Sequence, residues 1–251
     1  MPYRWDVGAK RYRDTDTGRF LSRDSALTMV DDSLRAGRSA TGTLAGLVAD
    51  GTISAADWRD KMRQEIKEEY IRQYLSAKGG RSQMTPADWG SIGGMLTEQY
   101  KYLDGFYADV LSGDMSEAAI AARARMYVNS AREANERAYS RSQGLPDLGR
   151  YPGSGSTPCL TNCRCFLEIT ETEGGWNVYW KLGDSEHCDG CVELAAQWNP
   201  LFVPSTARGL EILRRVAPDL NWAHGGSCAC GYCAEADRAG VGGRVGDWQK
   251  K

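Results

Sequence analysis

Cys159-Leu-Thr-Asn-Cys163-Arg-Cys165 and His187-Cys188-Asp-Gly-Cys191 bracket the stretch on which the reading of the chain turns. Between them, Phe166 to Thr170 is apolar, β-branched or aromatic at most positions. Glu171-Thr-Glu-Gly-Gly175 has turn chemistry, and Trp176 to Leu182 reads as a return strand. A β-hairpin brings its open ends together. Cys163 and Cys165 are therefore expected to meet Cys188 and Cys191 in space, across more than twenty residues of sequence. Four thiols converging on one point suit tetrahedral zinc, and two short cysteine pairs flanking a hairpin have a zinc-ribbon-like spacing. The exact ligand set stays open, because Cys159 can replace Cys165 and His187 can replace Cys188. A closed four-thiolate site has no position for water, so it staples the fold rather than performing a reaction. Two disulfides, or free thiols in a small core, are the alternatives.

Working outward, the chain has 251 residues, enough for one large or two modest domains. Its net charge of −2 gives no global field that would recruit nucleic acid or an anionic membrane. No apolar run is long enough to span a bilayer, and the opening Met1-Pro-Tyr-Arg-Trp-Asp6 does not read as a signal peptide. Eight cysteines in that setting favour a reducing compartment and metal over disulfides.

Five segments are expected. Residues 1–24, polar and weakly basic, read as an extended N-terminal arm with few core candidates. Residues 25–143 read as a helical domain of four helices. The first runs from about Ser25 to Ala49 and is weakened by Gly37, Gly42 and Gly46, with a break midway as the alternative. The second, to Lys78, begins at a capping-box-like Ser54 to Asp57 and carries Trp58, Met62, Ile66, Tyr70 and Tyr74 on one stripe. The third starts at Thr85-Pro86 and runs to about Ser112. The fourth runs unbroken from about Ser116 to Ser142, with Ile120, Ala124, Tyr127, Ala131, Ala134 and Ala138 on one face. These stripes read as bundle core. Arg123, Arg125, Arg132, Arg137 and Arg141 give the fourth helix a basic cast, diluted by Glu117, Glu133 and Glu136, so a solvated or partner-facing surface is favoured over a nucleic-acid face.

Residues 144–158 read as a Pro/Gly/Ser linker. Residues 159–204 form the cysteine-rich zinc-binding hairpin module, with a short helix over Val192–Gln197 broken by Asn199-Pro200 and Val203-Pro204. Residues 205–251 hold a further short helix, from Thr206 to Val216, and a Cys/Gly-rich tail. There His224, Cys228, Cys230 and Cys233 either close a second zinc site or complete the first. The fold class expected is mainly α with a small β-hairpin module: an N-terminal helical bundle plus a cysteine-rich, zinc-ribbon-like knob.

No catalytic constellation is found. The two histidines are each embedded in a cysteine cluster. No His-Glu-x-x-His, no zinc-deaminase pattern and no phosphate-binding Gly-x-x-x-x-Gly-Lys-[Ser/Thr] occurs. The expectation is a protein that is not an enzyme.

The order of features resembles a known family. A helix reading Tyr127-Val-Asn-Ser-Ala-Arg-Glu-Ala-Asn135 precedes Pro158-Cys-Leu-Thr-Asn-Cys-Arg-Cys165, Trp180-Lys-Leu and His187-Cys-Asp-Gly-Cys-Val-Glu-Leu-Ala195. Together they resemble tailed-phage minor head proteins, the head-morphogenesis family related to phage Mu protein F. The likeness covers about residues 10–200. In the commoner pattern the Cys-x-x-Cys precedes the Cys-Arg-Cys, whereas here it follows. The resemblance implies metal ligands at Cys163, Cys165, Cys188 and Cys191. It also implies a structural virion component, made in the bacterial host cytoplasm and acting in head assembly or DNA packaging near the capsid interior or portal. The implied partners are phage capsid or portal proteins, with packaged DNA a further one, in a larger assembly and with no membrane. Two other readings compete. One is a zinc-stabilised nucleic-acid-binding protein, using Arg164 with Trp176 and Trp180. The other is a zinc enzyme whose site opens at His187.

Overall fold

The computed structural model describes residues 2–206. Residues 2–21, expected to be an extended arm, form a small antiparallel sheet of three strands: β1 (Tyr3–Asp6), β2 (Arg11–Asp14) and β3 (Phe20–Leu21). The reason lies in a period-two alternation. Tyr3 and Trp5 on β1 and Tyr12 on β2 are buried, while Arg4 and Arg11 face water. Two of the rings pack with Tyr139 of the helical region, Trp5 edge-on to it at 5.5 Å between centroids and Tyr12 stacked on it at 5.9 Å, while Tyr3 packs on Tyr12. Tyr3 also donates from its hydroxyl to Gln73 Oε1 at 3.3 Å. The segment is thus part of the core and not a free arm.

Five helices build the body. Helix α1 (Arg23–Ala49) starts at Ser22, whose hydroxyl accepts from Ser25 N. It runs unbroken despite its glycines, without the midway break. Gly37 explains one of them, since a Cβ there would lie 2.8 Å from Val128 Cγ1 and force a neighbouring helix away. Helix α2 (Ala55–Lys78) buries Trp58, Met62, Ile66, Tyr70 and Tyr74 as the stripe predicts. It ends at left-handed Gly79, where a Cβ would meet Trp5 O at 2.8 Å. Helix α3 (Pro86–Leu111) opens with a full capping box between Thr85 and Asp88.

The expected fourth helix is two, α4 (Glu117–Asn129) and α5 (Ala131–Ser142), hinged at Ser130. Ser130 Oγ donates back to Tyr127 O at 2.7 Å and accepts from Tyr70 OH at 2.8 Å. A serine that bonds its own preceding turn bends a helix. Helix α2 packs against α1, α3 and α5, and α1 lies along α4. No helix among the described residues is long and apolar enough to cross a membrane.

Residues 144–158, expected to be a linker, are a packed strap. Leu145, Leu148 and Tyr151 are buried, and Leu148 N donates to Tyr151 OH at 2.9 Å. Arg137 of α5 lies over the Tyr151 ring and pairs with Asp147. The strap leads into a second sheet, ordered β4 (Phe166–Thr172), β5 (Gly175–Lys181) and β6 (Leu201–Pro204), all antiparallel. Strands β4 and β5 form the expected hairpin, with Leu167 opposite Trp180. Strand β6 was not expected, because Pro200 and Pro204 were read as breakers. It is an edge strand ending in Pro204, a position where a missing N–H costs little. Helix α6 (Asp189–Gln197) closes this module over the buried pair Trp180 and Trp198, which meet edge-to-face at 5.6 Å.

Two charged contacts lock the module onto the helices. Glu136 of α5, fully buried, accepts from Arg23 Nη2 at 2.6 Å and from Leu167 N at 3.1 Å. Asp31 of α1 accepts from both Arg132 of α5 and Arg164 of the cysteine loop. A buried carboxylate on α5 with partners on α1 and β4 fixes the mutual placement of the three elements, because an unmet bond would leave a charge desolvated.

Candidate metal centre

The thiols sit where the strap, the hairpin mouth and the start of α6 converge. Pro158 leads to Cys159, a single helical turn over Leu160–Asn162 follows, and Cys163 and Cys165 carry the chain into β4. Cys188 is the N-cap of α6 and Cys191 lies in its first turn, with Cys191 N donating to Cys188 O at 3.0 Å. The approach is tight on both sides. A Cβ on Gly190 would lie 3.0 Å from Pro158 Cδ, and one on Gly183 would lie 2.4 Å from Arg164 O.

Cys159, Cys163 and Cys191 bring their sulfurs within 4.8 Å of one another, a group able to hold a metal ion. Cys159 Sγ and Cys191 Sγ are 3.6 Å apart, and Cys163 Sγ and Cys191 Sγ are 3.7 Å apart. Those separations are far beyond a bonded S–S length of about 2.05 Å. They match the edge of a tetrahedron of sulfurs around zinc, about 3.8 Å for Zn–S of about 2.3 Å. All five cysteines among the described residues are free. Cys188, the N-cap of the same helix, lies outside this three-thiol group and is the nearest candidate in sequence for a fourth ligand. Thr157 Oγ1 lies 3.1 Å from Cys159 Sγ, so a hydroxyl flanks the cluster.

The residues implied by the sequence are thus partly regrouped. Cys163 and Cys191 are in the three-thiol group. Cys159, an alternative to Cys165 in the sequence reading, is the third member, and Cys191 is the sulfur close to both others. Cys165 lies outside the three-thiol group, with its Sγ 3.8 Å from His187 Nδ1. His187 Nε2 lies 2.9 Å from Gly183 O, and a carbonyl only accepts, so Nε2 donates there and Nδ1 is the nitrogen facing Cys165. The signal for Cys159 was available in the sequence: Cys-x-x-x-Cys is within the usual range of ligand spacings. The Cys-Arg-Cys pair drew the assignment instead. His224, Cys228, Cys230 and Cys233, and the helix expected over Thr206–Val216 beyond its first residue, lie outside the described residues.

The electrostatics fit a cation. The Cys163 thiol is pushed well above the ordinary thiol range, first by its contact with Cys165 and then by burial. Burial also pushes Cys159 and Cys191 up. Cys188 goes the other way. Burial opposes its ionisation, but the N–H groups of Cys191 and Cys159 hold its thiolate, and its pKa falls to about 7. Clustered neutral thiols resist ionisation in each other's company, and a bound divalent cation inverts that order by deprotonating them outright.

The basic residues of the old fourth helix are mostly spent inside the molecule. Arg132 pairs with Asp31, Arg137 with Glu133 and Asp147, Arg141 with Asp147, and Arg123 with Asp109. Trp180 is buried and Trp176 half-buried, so neither offers an open ring for stacking on a base. Comparison with protein-family models, with curated proteins and with solved structures finds no match.

Proposed function

We propose that this chain is a structural component of a tailed-phage particle, a minor head protein acting in head assembly or DNA packaging near the capsid interior or portal. In this reading the cysteine module is stapled by one zinc ion, held by Cys159, Cys163, Cys191 and Cys188. The zinc is structural: four thiolates complete its coordination and leave no position for a reacting water. The partners are capsid or portal proteins, and the protein works by docking rather than by catalysis.

The observation that carries the reading is the thiol cluster itself. Its sulfurs are spaced for tetrahedral zinc and lie at the point where strap, hairpin and α6 meet. The motifs that carry the phage resemblance are consistent with a scaffold. Asn135 of the Tyr127–Asn135 stretch is buried and donates to Gln73 O at 3.2 Å, and Arg132 of the same stretch anchors Asp31. Those residues tie α5 to α2 and α1.

Quantitative mass spectrometry of purified particles from the source phage tests the proposal. A fixed, low copy number per portal that survives stringent washing is the expected result. Abundance in infected cells with absence from mature particles would refute the virion assignment.

A further inference from the structure

We propose that the cleft between α1, α4 and the loop entering β4 binds a phosphate group. It encloses about 510 Å³ and is lined by Arg38 of α1, Arg125 and Asn129 of α4, and Asn162 and Arg164 of the cysteine loop. No carboxylate lines it. Three guanidiniums from three separate segments therefore face one space, a geometry suited to a multiply charged tetrahedral oxyanion.

The charge there is poorly offset. The carboxylate closest in the network, Asp31, is shared between Arg164 and Arg132. Arg125 is exposed and forms no ion pair among the described residues. Arg38 has no carboxylate partner and donates instead to Asn129 Oδ1 at 2.8 Å. Burial first, then the charges of Arg164, Arg35 and Arg125, hold the Arg38 guanidinium below its usual range, with Asp31 compensating in part. An anion seated among these groups relieves that repulsion. The amides prepare the site: Asn129 orients Arg38, and Asn129 Nδ2 donates to Asn162 Oδ1 at 3.1 Å. Asn162 Nδ2 then has no hydrogen-bond partner among the described residues and adds a neutral donor to the three cations. The inference does not rest on the virion reading, since it follows from the arginines alone.

The phosphate can belong to a nucleic-acid chain or to a small free anion, and the test separates the two. The full chain is titrated with inorganic pyrophosphate by calorimetry and with a labelled single-stranded oligonucleotide by fluorescence anisotropy. Arg38→Gln and Arg125→Gln are compared with Arg4→Gln, a basic residue outside the cleft. Removing either cleft arginine is expected to weaken binding about tenfold or more, as for a lost charge-assisted hydrogen bond, while Arg4→Gln binds as the unaltered chain does. On the oligonucleotide, each lost phosphate contact also flattens the salt dependence by about 0.7 in the log–log slope. Arg125 has no internal partner, so its substitution leaves the melting temperature unchanged and isolates binding from folding. Binding of the oligonucleotide alone assigns the site to a nucleic-acid backbone, and binding of pyrophosphate alone assigns it to a free anion. Binding of neither, or equal binding by Arg38→Gln, Arg125→Gln and the unaltered chain, overturns the proposal.

Discussion

Glu136 is the residue through which the two parts of the molecule hold each other. Its side chain is completely buried, its Oε1 accepts from Arg23 and its Oε2 from the backbone N–H of Leu167. Arg23 in turn lies 4.0 Å above the Tyr139 ring and donates to Tyr12 OH, so the N-terminal sheet depends on the same contact. Replacing Glu136 by Gln keeps the shape but leaves the Arg23 charge buried without a counter-ion. Removing one partner of a buried pair costs about 3–5 kcal/mol. Urea unfolding of Glu136→Gln is expected to show a loss of that size; a loss within error of zero would show that Arg23 finds another partner. Nothing in the sequence singled out Glu136. In the sequence it is one of three acids diluting a basic helix, because the identity of a buried ion pair depends on which elements pack together, and spacing along one helix does not contain that.

At the scale of elements, the periodic segments were legible and the aperiodic ones were not. Helix α2 appeared at its full length, because five large apolar residues recur at helical spacing between a Ser54 cap and Gly79. The β4–β5 hairpin was legible for the same reason, as two β-rich runs flank a glycine turn. The first sheet was missed because Tyr3-Arg-Trp-Asp6 gives only two alternations, and the charges between its strands resemble a solvated terminus. The break at Ser130 was invisible because the stripe of small residues continues through it. Residues 144–158 were misjudged on composition. Pro, Gly and Ser suggest a flexible connection, yet Leu145, Leu148 and Tyr151 insert into the core of the cysteine module. The strap is therefore expected to resist limited proteolysis and to exchange its Leu148 amide slowly, since that N–H is bonded to a buried tyrosine hydroxyl. Rapid cleavage within 145–151 in the folded protein would contradict the packed strap.

At the scale of the whole molecule, a helical body and a cysteine module share one set of polar locks, and the module's own core is small. Its buried side chains include three thiols, which offer less apolar surface than the leucines or valines a metal-free module of this size would use. Metal binding and folding of such a module are coupled. The hairpin logic brought the right segments together from sequence alone, but the choice among closely spaced thiols needed the backbone path. Cys159 enters the cluster and Cys165 turns to His187. The most direct test of this arrangement is native mass spectrometry of the full chain and of its Cys159→Ser and Cys165→Ser variants, each with a thermal melt. The expected result is that Cys159→Ser loses one equivalent of zinc and melts well below the unaltered chain, while Cys165→Ser keeps its metal and most of its stability. Full zinc retention in Cys159→Ser, or zinc loss confined to Cys165→Ser, would contradict the assignment of the centre.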